Sequence, residues 1–143
     1  MTYLIDTCVM SEFVKKAPNP QVSQWFNQQP IEQLFLSSIT IAEIKKGIYK
    51  IQDSQPERYQ KLKIWLQKVE IEFTSHILPL NDDILDNWAK FSANAELKGK
   101  KLAVMDSLIA ATAHHHKLTL VTRNVDDFKL TPVKIMNPYS SVI

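Results

Sequence analysis

Residues 103–124 read AVMDSLIAATAHHHKLTLVTRN. Val104, Leu108, Ala111 and His115 recur at helical spacing among mostly apolar neighbours, so the first half reads as a buried helix. The run LTLV at 118–121 is too short for a helix and does not alternate with polar residues, the pattern of a strand covered on both faces. A buried helix delivering the chain to a buried strand is the building unit of a parallel α/β sheet. Four more runs of the strand kind lie further out: YLI at 3–5, LFLS at 34–37, ILPL at 77–80 and VKIM at 133–136. Helical patterns separate them. Ile41, Ile44, Ile48 and Ile51 form one; Leu62, Trp65, Leu66, Val69 and Phe73, after Pro56, form a second. Leu85, Trp88 and Phe91 mark a third, from Ile84 to Lys98. The expected fold is an α/β three-layer sandwich, with a central, mostly parallel sheet of about five short strands and helices on both faces.

With 143 residues, the chain is expected to form one domain over 1–143 with a single sizeable core. Two glycines, Gly47 and Gly99, leave no room for a dinucleotide fingerprint or a P-loop. The 17 basic and 15 acidic residues give a net charge of +2, which permits nucleic-acid binding without arguing for it. One cysteine, Cys8, excludes an internal disulfide and suits a reducing compartment. The start, MTYLIDTCVM, is too short and too acidic for a signal peptide, and no apolar run reaches membrane-spanning length. A cytoplasmic protein with no membrane segment is expected. No repeat, low-complexity stretch or Gly/Ser linker interrupts the chain; Pro18 and Pro20 break it early, and Pro30 and Pro56 punctuate later elements.

Asp106 is the residue its helix does not explain. It stands in the first turn of an otherwise apolar segment. Other acids occupy comparable places. Asp6 ends the first strand, and Glu43 is placed in the first turn of the helix after LFLSS. Asn124, Asp126 and Asp127 follow the strand LTLV. Each has an ordinary reading. Asp6 or Thr7 caps a helix starting near Cys8. Thr40-x-x-Glu43 matches a capping box. Asp106 complements a helix dipole, and RNVDD is a turn. Together these readings weaken, because in a parallel sheet all these positions fall at the carboxyl edge, where such sheets bind ligands. Two unit charges about 4 Å apart repel by roughly 4 kcal/mol at an effective dielectric of ~20, so converging carboxylates call for a cation. Hard oxygen donors without His or Cys favour Mg²⁺ or Mn²⁺ over Zn²⁺.

The segments YLIDTCVMSEF, LSSITIAEIKKGI, AVMDSLIAATA and LTLVTRNVDDF, with the tail IMNPY, resemble PIN-domain proteins. The resemblance is closest to the VapC-type toxins of bacterial toxin–antitoxin pairs. It spans nearly the whole chain in family order. It implies a PIN-like fold and an endoribonuclease dependent on Mg²⁺ or Mn²⁺. It further implies a homodimer and a cognate VapB-like antitoxin that holds the enzyme inactive. Asp6, Glu43 and Asp106 match the family's metal-holding acids. Many relatives carry Asp where this chain has Asn124, and others rely on the acid matching Asp127. Asp127 is therefore expected to supply the charge and Asn124 a neutral ligand or water contact. Cys8 departs from the family's usual Asp-Thr-Asn, so a polar contact behind the metal ligands is expected to be missing.

Phosphodiester cleavage needs an activated water and neutralisation of the phosphate, both of which metal ions supply. Asp6 and Asp106 are expected to be the principal ligands, with Glu43 completing the site or orienting the water. Thr7, Thr122 and Arg123 are candidates for contacts to RNA phosphates, although Thr122 and Arg123 read equally well as strand-end surface residues. The triplet His114, His115 and His116 cannot clasp one ion, because adjacent helical side chains point about 100° apart; a helix C-terminus favours their cationic character instead. Cys8 reads as a packed residue, and Trp65 and Trp88 as core or interface. KGKK at 98–101 reads as a solvated loop, with an RNA-backbone contact suggested by its place before Asp106. Two other classes also place acids at such an edge. A phosphoryl-transfer enzyme of this kind would want a second Asp two residues after its nucleophile, where Cys8 stands, and a phospho-receiver domain would want an early acidic pair and a phosphorylated Asp at a mid-chain strand end, where LFLSS has none. A non-catalytic RNA-binding module would have lost acids that this chain keeps.

Overall fold

The computed structural model describes residues 1–140. Five strands, β1 (Tyr3–Ile5), β2 (Leu34–Ser37), β3 (Ile77–Leu78), β4 (Thr119–Val121) and β5 (Ile135–Met136), pair in the order β3-β2-β1-β4-β5. All four pairings are parallel, with Leu4 opposite both Phe35 and Leu120 at the centre. The expected sheet is thus present. Three strands, β3, β4 and β5, are shorter than their apolar runs. β3 stops before Pro79, which has no N–H to give the ladder.

Among the described residues, six α-helices flank the sheet: α1 (Thr7–Ser11), α2 (Pro20–Asn27), α3 (Ser38–Lys50), α4 (Pro56–Glu72), α5 (Asp82–Leu97) and α6 (Val104–His115). Strand alternation sends neighbouring side chains to opposite faces. Ile5 and Val121 join a core with Ile41, Ile44, Leu66 and Phe73 on the α1–α4 side. Leu4 and Leu120 join Ile109, Ala110 and Phe128 on the α6 side. Helix α5 lies outside α6, through Ile84, Phe91, Ala95 and Ala111. Small residues on α6 let the sheet and α5 approach it from both sides, which is why the AATA run is buried throughout. No helix among the described residues is long and apolar enough to cross a membrane.

Helix α2 corrects the reading of Pro18 and Pro20 as simple breakers. Pro20 opens the helix at a position whose N–H has no intrahelical use, and Asn19 caps it by accepting from the Gln21 and Val22 N–H groups. Glu12, which no local motif marks, is a buried carboxylate. Its side chain is enclosed and accepts from the Asn19 N–H at 2.9 Å, Tyr139 Oη at 2.8 Å and Lys15 Nζ at 3.0 Å. Burial acts to raise its pKa, but these three donors hold the carboxyl below its ordinary value. The IMNPY tail is thereby tied to the segment that follows β1. Trp88 donates to Ser107 Oγ at 2.9 Å, and Trp65 packs on the core. The three histidines sit at the C-terminal end of α6, about 12–15 Å of helix away from Asp106.

Candidate active site

The chain runs from β1 to β2 and β3 on one side, then crosses to β4 and β5 on the other. The crevice between β1 and β4 is therefore the switch point of the sheet, where ligands of open α/β folds bind. Asp6 is the residue after β1 and Thr122 the residue after β4. Their side chains meet there, Thr122 Oγ1 donating to Asp6 Oδ2 at 2.7 Å. Asp6 also caps α1, its Oδ1 accepting the Thr7 N–H at 2.8 Å. The Cys8 thiol donates to Asp6 Oδ2 at 3.6 Å. The contact expected to be missing at Cys8 is thus made in weak form by sulfur. Only 2 % of Asp6 is exposed. That burial raises its pKa against the hydrogen bonds from Thr122, Thr7 and Cys8, and the charge of Asp127 adds to the rise.

Glu43 enters from α3. Ser37, not Thr40, caps this helix, its hydroxyl accepting the Ile39 N–H at 3.0 Å. Thr40 is consequently inside the helix, the capping box does not form, and Glu43 lies in the second turn instead of the first. The Thr7 hydroxyl donates to Glu43 Oε1 at 2.7 Å and lies 3.2 Å from Thr40 Oγ1. Thr7 thus joins Asp6, through its backbone, to Glu43, through its side chain.

Asp106 is half-buried in the first turn of α6. Its pKa is pushed up to about 6, first by burial, then by the charges of Asp6, Glu43 and Asp127. Asp127, exposed in the helical turn Val125–Phe128, shares with Asp106 a cleft of about 180 Å³ walled by Lys100, Lys101 and Ser107. Asn124 donates its backbone N–H to Thr122 Oγ1 at 3.0 Å, fixing the hydroxyl that holds Asp6.

Two phosphate-contact expectations need correcting. Thr122 is wholly buried, its hydroxyl occupied by Asp6 and Asn124, so it faces no substrate. The Thr7 hydroxyl is committed to Glu43. Arg123 is exposed, with its guanidinium carbon 5.2 Å from the Tyr139 ring centroid. Thr40 and Cys8 also belong to the network: Thr40 meets the Thr7 hydroxyl, 33 positions away, and Cys8 reaches Asp6, two positions before it, and Thr122 Oγ1 at 3.8 Å.

Among the described residues, no three His, Cys, Asp or Glu side chains are gathered into a ready-made metal cage. The donor set nevertheless fits Mg²⁺ or Mn²⁺. All its atoms are hard oxygens, and the carboxylates destabilise one another's charge. Mg²⁺ commonly keeps several waters and takes one or two carboxylates together with substrate phosphate, so a closed cage is not required.

A five-stranded parallel sheet in this order, with acids from β1, α3, α6 and the turn after β4 at its switch point, matches a known architecture. The PIN domain family model matches residues 3–134, and the chain belongs to that family. It is 32% identical to Toxin FitB of Neisseria gonorrhoeae over 138 residues, 95% of this chain and 97% of that protein. It is also 32% identical to VapC ribonuclease Y4jK of Sinorhizobium fredii, over 95% of this chain and 96% of the relative. The crystal structure of FitAcB from Neisseria gonorrhoeae superposes with a TM-score of 0.90 at 32% identity, over 96% of this chain and 99% of the other.

Proposed function

We propose that the chain is a divalent-metal-dependent endoribonuclease, the toxin of a bacterial toxin–antitoxin pair, acting as a single PIN domain. The observation that carries this reading is the convergence of four acids at the switch point. Burial first, and then the charges of Asp6, Glu43 and Asp127, raise the pKa of Asp106. A fold that keeps such a destabilised set of charges has a use for them. The toxin and ribonuclease names of FitB and Y4jK support the class of reaction.

Asp6 and Asp106 would hold Mg²⁺ or Mn²⁺, with Glu43 and Asp127 completing the charge around it. When bound, the metal lowers the pKa of water and neutralises phosphate oxygens. Thr122 holds Asp6 in one orientation, and Asn124 holds Thr122. Thr7 fixes Glu43, which orients the attacking water. Asn124 lends a neutral oxygen or water contact beside Asp127. Arg123, exposed at the same edge, is free to meet a phosphate of the RNA. The same carboxylates attract a guanidinium or ammonium, so a VapB-like antitoxin inhibits by inserting Arg or Lys among Asp6, Glu43 and Asp106. The active form is a homodimer in this reading, and the chain works in the cytoplasm.

The test is cleavage of an end-labelled RNA by the purified chain in Mg²⁺, with Thr122→Val and Thr122→Ser beside the wild type. Wild type is expected to cut internally. Thr122→Val is expected to cut about 10–100-fold more slowly, the usual cost of losing a group that orients a metal ligand. Thr122→Ser, which keeps the hydroxyl, should recover most of the rate. RNA left intact by the wild type would reject the nuclease reading, and equal rates for all three would reject the role given to Thr122.

A further inference from the structure

The acid edge repels the polyanion it is to cut. Phosphates on either side of the scissile one need cations that the four carboxylates do not provide. The surface beside Asp106 and Asp127 supplies them. Lys100, Lys101 and Thr131 line the cleft these two acids share. Thr131 also lines a second, larger cleft, about 500 Å³, between α5 and residues 129–132. The two clefts therefore adjoin at Thr131, and together they make a strip beside the acids. Along the larger one stand Lys90, Lys98 and Lys129, above buried Phe91 and half-buried Leu130.

The lysines are available. Lys98 and Lys101 have no hydrogen bond or ion pair through their ammonium groups among the described residues. Lys90 pairs with Asp86 at 3.1 Å and Lys129 with Asp126 at 2.7 Å, but all four side chains are mostly exposed. Exposed pairs of this kind are weak enough for a phosphate to displace. Lys100 reaches the Asp126 carbonyl at 3.2 Å, which holds the strip against the turn that carries Asp127. Five lysines thus stand beside four aspartates here, Asp106 and Asp127 with the paired Asp86 and Asp126, and Lys98 and Lys101 are the two whose ammonium groups are not engaged. A basic rim over an apolar floor is the surface that single-stranded nucleic acid recognises, phosphates on the rim and bases on the floor. A helix C-terminus favours Lys98 on its own account, but that does not place Lys90, Lys101 and Lys129 along the same cleft.

We propose that this strip is the binding track for the single-stranded RNA flanking the scissile phosphate. Its backbone follows Lys101, Lys98 and Lys90, and its unpaired bases lie over Leu130 and Pro132. The inference rests on the nuclease reading for its substrate, and the experiment separates the two. Affinity for a labelled single-stranded RNA of about twelve nucleotides, and for one of about four, is measured by anisotropy across a salt series. The proteins are the wild type, Lys98→Gln/Lys101→Gln, and a control on the far helix, Lys61→Gln/Lys68→Gln. Cleavage by the wild type is recorded in parallel. The Lys98/Lys101 variant is expected to bind the longer RNA about tenfold more weakly at low salt. The slope of log affinity against log salt should fall by about 1.4, two phosphates at roughly 0.7 each. The short RNA, lacking the reach, should lose less than the long one, and the control should match wild type throughout. If wild type cleaves RNA and the Lys98/Lys101 variant keeps both the affinity and the slope, the track is wrong and the nuclease reading stands. If the slope falls as expected but wild type cleaves nothing, the track stands as a nucleic-acid site and the nuclease reading fails.

Discussion

Asp106→Asn is expected to abolish RNA cleavage while making the metal-free protein more stable. The two effects have one cause. Asp106 is half-buried, and that burial first, then the charges of Asp6, Glu43 and Asp127, push its pKa up to about 6. Loss of a principal metal ligand should cost about 4 kcal/mol of transition-state stabilisation, or roughly 10³-fold in rate. Asn removes the repelled charge and keeps the shape. Discounted for solvent screening at this half-exposed position, the gain in stability is about 1 kcal/mol near neutral pH, or roughly 2–4 °C in melting temperature. The pH dependence has a fixed sign. The native protein keeps the Asp106 proton up to about pH 6, whereas the unfolded chain loses it at the ordinary aspartate value of 3.8. Between these values the unfolded state binds fewer protons, so metal-free stability falls as pH rises and levels off above about pH 6. Asp6, raised in the same direction, adds to the fall. Melting curves of wild type and Asp106→Asn, taken in EDTA from pH 4 to 8, check this. They should converge at the acid end and separate toward neutrality. A variant less stable than wild type at neutral pH would contradict the assigned repulsion.

The second large effect is expected on metal removal. EDTA should stop cleavage altogether, and Mg²⁺ or Mn²⁺ should restore it better than Zn²⁺, because every proposed donor is a hard oxygen. Rates measured after chelation and after each metal is returned give the comparison directly. Cleavage that survives exhaustive chelation would mean that the acids serve some other purpose.

The strands were legible because a sheet covered on both faces needs continuous apolar runs, and YLI, LFLS and LTLV are such runs. Parallel pairing then places Asp6 and Asp106 at one edge without any knowledge of side-chain contacts. What escaped the sequence depends on contacts between distant residues. Nothing near Thr122 announces that its hydroxyl will meet Asp6, 116 positions away. Read locally, Thr122 looks like a surface strand end; in the folded chain it is fully buried. Glu43 was displaced by a turn because two capping residues compete before α3, and Ser37 wins over Thr40 through its bond to the Ile39 N–H. Pro20 misled in a different way. Proline both breaks helices and begins them, and only the Asn19 cap distinguishes the two.

Mn²⁺ binding to the purified chain, followed by calorimetry at about pH 6 in two buffers of different protonation enthalpy, tests the metal centre most directly. Wild type should bind the ion and release a fraction of a proton as Asp106 gives up its own. Asp106→Asn should bind at least about tenfold more weakly, a loss of roughly 1.4 kcal/mol, and release none. Wild type that binds no Mn²⁺, or a variant that binds it with the same affinity and proton release, would contradict the assignment of these carboxylates as a metal site.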